Sequence, residues 1–439
     1  MSATAHGFII AAPASGCGKT TVTLGLLRAF AEQGLAVSSF KVGPDYIDPA
    51  FHAAASGRPS RNLDSWAMSD SALRRSLAGA AEGCDMVIGE GVMGLFDGAG
   101  DGTGSTADIA ATTGLPIVLV VDASAQAASA AAVVHGFANF RHDIAVAGVI
   151  FNRVSSEGHA RAITAACTGI VARVLGFLPT TRDIAMPERH LGLVQSREHS
   201  KLDALIARAG ALVAEHIDLD GLRQIARPVG AENTGAIAGL PVLGQRIAVA
   251  DDEAFAFAYP HVIEGWRAAG AEIVTFSPLG DEAPPADADA IYLPGGYPEL
   301  HARRLATMGK FFKGLSAAAD RKAVLFGECG GYMVLGEGLI DGDGKCHAMA
   351  GLLPVVTSFA KPRLHIGYRR AALSQDGPLG ASGARFRAHE FHYASIIEEG
   401  EAPALFACTD ALGADLGTAG QRRGSVMGSF IHLIDSETD

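Results

Sequence analysis

The sequence predicts two α/β domains in tandem, each built on a largely parallel sheet covered by helices. Three observations lead there. Short Val/Ile/Leu-rich runs alternate with helical stretches in both halves, the pattern of strands buried on both faces. Pro228 to Gly244, rich in Gly, Pro, Asn and Thr and without periodicity, reads as a linker. A chain of 439 residues also exceeds one ordinary core. The expected limits are residues 1–227, a linker at 228–244, and residues 245–439.

In the first half a strand at Phe8 to Ala12 runs into a glycine loop and a helix from Thr20 to Gln33, closed by Gly34. Further strands are expected at Val37 to Val42, Met86 to Gly89, Pro116 to Val121, Ala145 to Phe151 and Val171 to Phe177. From Leu205 to Arg227 the pattern is helical. A second alternating series begins at Arg246 and includes Glu272 to Phe276, Ala290 to Leu293 and Ala323 to Phe326.

Composition narrows the function classes. With 49% hydrophobic and 19% charged residues the chain is globular, which excludes wholesale disorder. A net charge of -12 argues against a nucleic-acid partner but permits a local basic pocket for an acidic small molecule. Six cysteines (Cys17, Cys84, Cys167, Cys329, Cys346, Cys408) without any Cys-x-x-Cys argue against a zinc ribbon and point to a reducing cytosol. The N-terminus lacks a basic leader region, and Asp122 interrupts the candidate span from Leu115 to Val134. A cytoplasmic enzyme with small-molecule partners, and neither membrane nor nucleic acid, is the expectation.

Chemistry in the first half starts at Pro13-Ala-Ser15-Gly16-Cys17-Gly18-Lys19-Thr20-Thr21, between the first strand and the first helix. Successive amides there form an anion nest, Lys19 reaches the β/γ-phosphates and Thr20 ligates magnesium; Pro13 stands where a P-loop has its first glycine. At the second strand's end come Lys41, Asp45, Tyr46 and Asp48, and open α/β sheets bind ligands beyond that edge. Lys41, Asp45 and Asp48 are expected to face the phosphates or the second substrate. Glu90 and Asp97 follow another strand and glycine loop, where an acid is placed to hold magnesium directly or through water. Ser105 starts a helix, as a cap or as a contact to a substrate carboxylate. Asn152 ends a strand, reading the nucleotide base or simply turning the chain.

In the second half Phe326-Gly-Glu-Cys329-Gly-Gly331 follows the apolar run Lys322 to Phe326 and precedes a helix. Such an elbow lifts a sulfur above the sheet edge, and a helix N-terminus favours thiolate over thiol. A nucleophilic Cys needs a His from elsewhere, and His432 ends the strand-like run Val426 to Leu433. His389 and His392 flank Glu390 but lack the i, i+4 spacing of a zinc helix, so they read as hydrogen-bonded or substrate-contacting rather than ligating. Arg363, His365 and Arg369 are either a binding patch for a polyanion or a solvated face.

The Cys329 elbow and the late His432 resemble the triad class I glutamine amidotransferases, and Tyr292-Leu-Pro-Gly-Gly296-Tyr-Pro-Glu299 resembles that class's second oxyanion loop. The resemblance implies oxyanion donation from Gly296 and Gly330. In most of that class a glutamate lies two residues after the His; Ile434 occupies that place, with Asp435 one further on. The first-half segments resemble the dethiobiotin-synthetase-like branch of P-loop enzymes. Together, Lys41 to Pro49, Gly89 to Gly98, Gly104 to Asp108, Gly327 to Met333 and Arg387 to Tyr393 narrow the match to the cobyrinic acid/hydrogenobyrinic acid a,c-diamide synthase family.

The resemblance implies a mechanism. ATP with Mg2+ phosphorylates a corrin a or c carboxylate to an acyl phosphate; Cys329 and His432 release ammonia from glutamine; ammonia then displaces phosphate by a sheltered route. It places Thr20, Asp48 and Glu90 near magnesium, and Lys41, Asp45, Tyr46, Asp97 and Ser105 near the substrate or acyl phosphate. It puts Ser15 to Thr21 and Asn152 on the nucleotide, and leaves a homodimer open. Two rivals share parts of the pattern. A partitioning-type P-loop ATPase has no use for Cys329 and His432, and a cobyric acid synthase, which shares both modules, amidates other corrinoid side chains; the segment Asp45 to Asp48 and the shorter chain favour the diamide synthase.

Overall fold

The computed structural model describes residues 4–181, 202–230 and 239–437. The segment 231–238 of the expected linker therefore lies outside the described residues. The chain divides into two compact units, Met1–Trp66 with Leu73–Thr234, and Ala67–Ala72 with Gly235–Asp439.

The front unit carries strands β1 (His6–Ala11), β2 (Val37–Val42), β3 (Ser60–Leu63), β4 (Met86–Glu90), β5 (Ile117–Asp122), β6 (Val146–Val154) and β7 (Arg173–Pro179). They form a parallel sheet in the order β3-β2-β4-β1-β5-β6-β7, and β8 (Arg227–Pro228) adds an antiparallel pairing to β1. The order reverses around β1, so the ends of β1, β2 and β4 meet at the crevice where such sheets bind ligands. Apolar runs such as Phe8-Ile9-Ile10 and Val118-Leu119-Val120 are fully buried, as a sheet covered on both faces requires. The helix Lys19–Glu32 packs on the helix Leu202–His216 closely enough that a Cβ at Gly25 would lie 2.5 Å from Val213 Cγ2.

The sequence pattern missed β3, because Ser60-Arg61-Asn62-Leu63 is mostly polar. Its polar groups find partners inside the unit: the Ser39 hydroxyl donates to Ser60 Oγ (2.9 Å), and Asn62 Nδ2 donates to the carbonyls of Gly43 and Asp45.

In the rear unit β9 (Arg246–Ala250), β10 (Glu272–Phe276), β11 (Ala290–Leu293) and β12 (Val324–Glu328) are parallel, as expected. The chain then builds β13 (Gly338–Ile340), β14 (Cys346–Ala348), β15 (Val355–Ser358), β16 (His365–Leu373), β17 (Arg385–His392) and β18 (Ser395–Glu399). Four further strands are β19 (Ala404–Thr409), β20 (Asp415–Arg423), β21 (Val426–Ser429) and β22 (Ile431–Ser436). The main sheet runs β10-β9-β11-β12-β21-β20-β19-β16-β17-β22, parallel as far as β21 and antiparallel beyond; a small sheet follows β14-β13-β15-β18. Helices Pro298–Leu305 and Gly309–Asp320 bury Leu305, Phe311 and Leu315 with Ile291, Leu293 and Leu325. Each such side chain contributes about 1.5–3 kcal/mol of burial. Asp435 accepts hydrogen bonds from the amide and hydroxyl of Ser69, tying in the segment Ala67–Ala72.

Candidate active sites

The loop between β1 and the first helix turns through Gly16 (φ +81°) and Gly18 (φ +97°), backbone angles open chiefly to glycine. Ser15 and Gly16 are exposed, while Cys17 and Lys19 are buried. Lys19 Nζ donates to the carbonyls of Met93 and Ala14, folding back along the loop. Burial and the nearby Lys41 ammonium pull its pKa down. Asn152 lies against this loop: its side-chain amide donates to the Cys17 carbonyl (2.9 Å), and a Cβ at Gly18 would sit 2.3 Å from Asn152 Nδ2. Arg153 beside it donates to the Gly16 carbonyl and pairs with Asp122.

One buried network joins β2, β4 and the helix Asp48–Ser56. Lys41 Nζ sits 2.7 Å from Asp48 Oδ2 and 2.8 Å from Glu90 Oε1; the Thr20 hydroxyl donates to the same Glu90 oxygen at 2.7 Å. His52 Nε2 meets Glu90 Oε2 at 2.6 Å, and Ser60 Oγ lies 3.4 Å from its Nδ1. Lys41, Asp48, His52 and Glu90 are all buried. Burial alone would raise the Glu90 pKa, but Lys41 and His52 outweigh it and hold the carboxyl well below its ordinary range. For Lys41, burial is likewise outweighed by Asp48 and Glu90, which raise the ammonium above its ordinary value. Thr20, Asp48 and Glu90 thus present hard oxygen donors around a point where a cation, the Lys41 ammonium, already stands. That donor set fits magnesium.

Other expected residues are placed as follows. Asp45 Oδ1 accepts from the amides of Ile47 and Asp48, anchoring the start of that helix, and Tyr46 is half-buried beside it. Asp97 is exposed, its Oδ2 accepting from the Gly94 amide. Ser105 caps the helix Thr106–Thr113 in a reciprocal box with Asp108. Two contributors escaped the sequence reading: His52, although one helical turn from Asp48 on the same face, and Asn62, which holds the Asp45 loop.

In the rear unit Cys329 directly follows β12 and caps the next helix with φ +47° and ψ −103°, a strained conformation for a side-chain-bearing residue. Its amide donates to the Ser429 carbonyl (2.8 Å), fixing the elbow to β21. Its thiol donates to the Phe391 carbonyl at 3.5 Å, and the amides of Gly330 and Gly296 lie near enough to favour the thiolate. Their close approach needs bare glycines: a Cβ at Gly330 would lie 3.0 Å from Gly296 N, and one at Gly296 would lie 2.0 Å from the Ala254 carbonyl oxygen. Contrary to the thiolate expectation, burial pushes the thiol far up; the Glu299 carboxyl adds to this and the two amides offset only part of it.

His432 is fully buried on β22, opposite His389 of β17, and its pKa falls to about 3 through burial and then the neighbouring His389 and His392. Its ring packs on the Gly295-Gly296 loop, where a Cβ at Gly295 would come 2.3 Å from His432 Cε1. Burial thus favours the neutral form of both the Cys329 thiol and the His432 imidazole, and the two have Phe391 as a common neighbour. Glu328, also missed from sequence, accepts from Tyr292 Oη and from the Leu433 amide.

His392 Nδ1 contacts the Ala394 carbonyl and its Nε2 contacts Glu390, which also pairs with Arg369. His365 stacks on His392 with ring planes 2° apart and centroids 4.6 Å apart. One ligand atom each of His365, Glu390 and His392 lies within 4.8 Å of the others, so the cluster could hold a metal ion, although both His392 nitrogens already contact the Ala394 carbonyl and Glu390.

A mononucleotide-type sheet with a loop nest, joined to a unit with a cysteine elbow and a buried histidine, defines an ATP-dependent, glutamine-hydrolysing amidotransferase ligase. The family models agree by region: residues 8–194 match the CobQ/CobB/MinD/ParA nucleotide binding domain, and residues 246–439 the CobB/CobQ-like glutamine amidotransferase domain. A hydrogenobyrinate a,c-diamide synthase of Brucella anthropi is 54% identical over 431 residues, 98% of each chain. Proteins of the same description from Rhizobium meliloti (53%, 98% of this chain and 99% of that one) and Rhodobacter capsulatus (52%, 99% and 100%) are similarly close. The chain belongs to the cobyrinic acid/hydrogenobyrinic acid a,c-diamide synthase family. Among the described residues no helix is long and apolar enough to cross a membrane.

Proposed function

We propose that the protein amidates the a and c carboxylates of hydrogenobyrinic acid, with ATP as energy source and glutamine as nitrogen donor. The relatives' description supports that substrate. The observation that carries the nitrogen half is the strained elbow at Cys329, φ +47°, beside two backbones packed so closely that a Cβ at Gly330 would lie 3.0 Å from Gly296 N.

A corrin carboxylate oxygen attacks the γ-phosphorus of ATP and ADP leaves, giving an acyl phosphate. Lys19 and the amides of Ser15 to Thr21 bind the phosphates, and Asn152 holds the loop that cradles them. Thr20, Asp48 and Glu90 would hold magnesium, which would neutralise charge on the phosphates. Lys41 positions Asp48 and Glu90, while Asp45, Tyr46, Asp97 and Ser105 border the substrate side.

In the rear unit Cys329 attacks the glutamine amide carbon as neutral His432 takes the thiol proton. Gly296 and Gly330 donate to the oxyanion. His432 then gives its proton to the departing ammonia, and water hydrolyses the thioester to glutamate. Ammonia attacks the acyl phosphate and phosphate leaves. Six free thiols among the described residues support a reducing, cytoplasmic setting.

The test is Cys329→Ala, assayed for mass gain of hydrogenobyrinic acid. Glutamine-supported amidation is expected to vanish while ammonium-supported amidation continues; a variant that fails with both nitrogen sources would refute the two-site scheme.

A further inference from the structure

Between Ser429 and Ile431 the chain changes partners. β21 pairs with β12, with Ser429 opposite Glu328; after Phe430, β22 pairs instead with β17, and it ends the sheet. On its free edge the Leu433 amide points back towards β12. A buried amide there needs an acceptor, and among the described residues no neighbouring strand supplies one. The Glu328 side chain supplies it: Oε1 accepts from Leu433 N at 2.9 Å and Oε2 from Tyr292 Oη at 2.5 Å. Glu328, Leu433 and His432 are each 1% exposed or less, and Tyr292 is 3% exposed.

Both ends of this bridge adjoin proposed catalytic groups, since Glu328 precedes Cys329 and Leu433 follows His432. The third anchor, Tyr292, begins the segment that reaches Gly295 and Gly296. We propose that Glu328 is a positioning residue for glutamine hydrolysis: its carboxyl ties the cysteine strand, the histidine strand and the oxyanion strand into one register. The inference rests on the amidotransferase reading of this unit.

A buried carboxyl is a costly choice where an apolar residue would pack, and its pKa is raised by burial to about 7, with the Tyr292 and Leu433 bonds offsetting part of the rise. The contact geometry gives a clean pair of variants. In Glu328→Gln the amide oxygen still accepts from Leu433 N, and the amide nitrogen donates to Tyr292 Oη after that hydroxyl rotates. In Glu328→Leu neither contact survives.

The experiment measures kcat and KM for glutamine, and the ammonium-supported rate, in ATP-dependent amidation. Glu328→Leu is expected to lose about 100-fold in kcat for glutamine, the scale of an ångström misplacement, with KM and the ammonium-supported rate within about threefold. Glu328→Gln is expected to keep kcat within about threefold. Retention of glutamine kcat in the Leu variant overturns the proposal, as does an equal fall in the Gln variant, which would make charge rather than contact the requirement. If the Leu variant does not fold, Tyr292→Phe decides. It removes one anchor, and a fall of about three- to tenfold in glutamine kcat with an intact ammonium rate supports the proposal, while an unchanged kcat overturns it. Cys329→Ala, run alongside, reports separately on the underlying reading: glutamine-supported turnover surviving there removes the amidotransferase assignment whatever Glu328 does.

Discussion

Lys41→Met offers the sharpest test of the front unit's electrostatics. The ammonium stands within 2.8 Å of two carboxylates whose residues are 2% and 0% exposed. Methionine replaces the stem with little change in volume but leaves Asp48 and Glu90 facing each other without the cation between them; His52 still meets the far oxygen of Glu90. Deleting one partner of a buried ion pair costs about 3–5 kcal/mol, because the remaining charge stays desolvated. For a unit of roughly 150–250 residues each kcal/mol moves Tm by about 2–4 °C, so the front unit's Tm is expected to fall by roughly 6–20 °C. Magnesium should recover more of this loss in the variant than it adds to the parent, because the Thr20, Asp48 and Glu90 oxygens no longer share their space with an ammonium. Scanning calorimetry with and without magnesium measures both effects. A Tm within about 2 °C of the parent, with no differential response to magnesium, would refute the account of Lys41 as the resident cation.

Three other outcomes are expected. Glu90→Gln should reduce ATP-dependent amidation by at least about 100-fold with either nitrogen source while leaving glutamine hydrolysis measurable; unchanged amidation removes Glu90 from the magnesium set. Gly295→Ala places a methyl 2.3 Å from His432 Cε1, so the ring must move, and glutamine kcat should drop by about 100-fold with ammonium-supported turnover preserved. Burial raises the Glu299 pKa to about 8 and the Glu328 pKa to about 7, both above the unfolded value. Their stabilising contribution is therefore complete below the unfolded carboxyl pKa and is lost as pH climbs through 7 and 8. The rear unit's Tm should decline across that window, with a shallower decline in Glu299→Gln; identical slopes would refute the assignment.

The parts of both sites that follow from chain-local chemistry are legible in the sequence. Glycines beside Lys19, acids at the ends of β2 and β4, and a cysteine between a strand and a glycine pair each carry their reason within a few residues. What escaped were groups whose meaning depends on a partner far away in sequence. Lys41 reads equally well as a phosphate ligand, and only the fold places it between Asp48 and Glu90. His52 looks like a helix residue among alanines until Glu90, 38 positions on, is found against its Nε2. The antiparallel half of the rear sheet escaped for a related reason: alternation marks strands in 365–436 but not which strand each one joins.

The same distinction explains why the thiol expectation failed while the elbow expectation stood on sound chemistry. A helix start and open amides do favour the thiolate, but that preference is local, whereas desolvation sums over everything packed around the sulfur. Here the surroundings include Glu299 as well as hydrocarbon, and both push the thiol up. With His432 held neutral at about 3 by its own burial, proton transfer from sulfur to imidazole is opposed from both ends in the ligand-free protein. On the proposed mechanism such a pair is expected to stay unreactive until a substrate amide presents a developing oxyanion to Gly296 and Gly330, which would tie thiol activation to occupancy of the glutamine site. Alkylation of Cys329 by iodoacetamide should therefore be slow at neutral pH in the free enzyme; labelling as fast as that of an exposed thiol would show that the sulfur is already ionised and that this coupling does not exist.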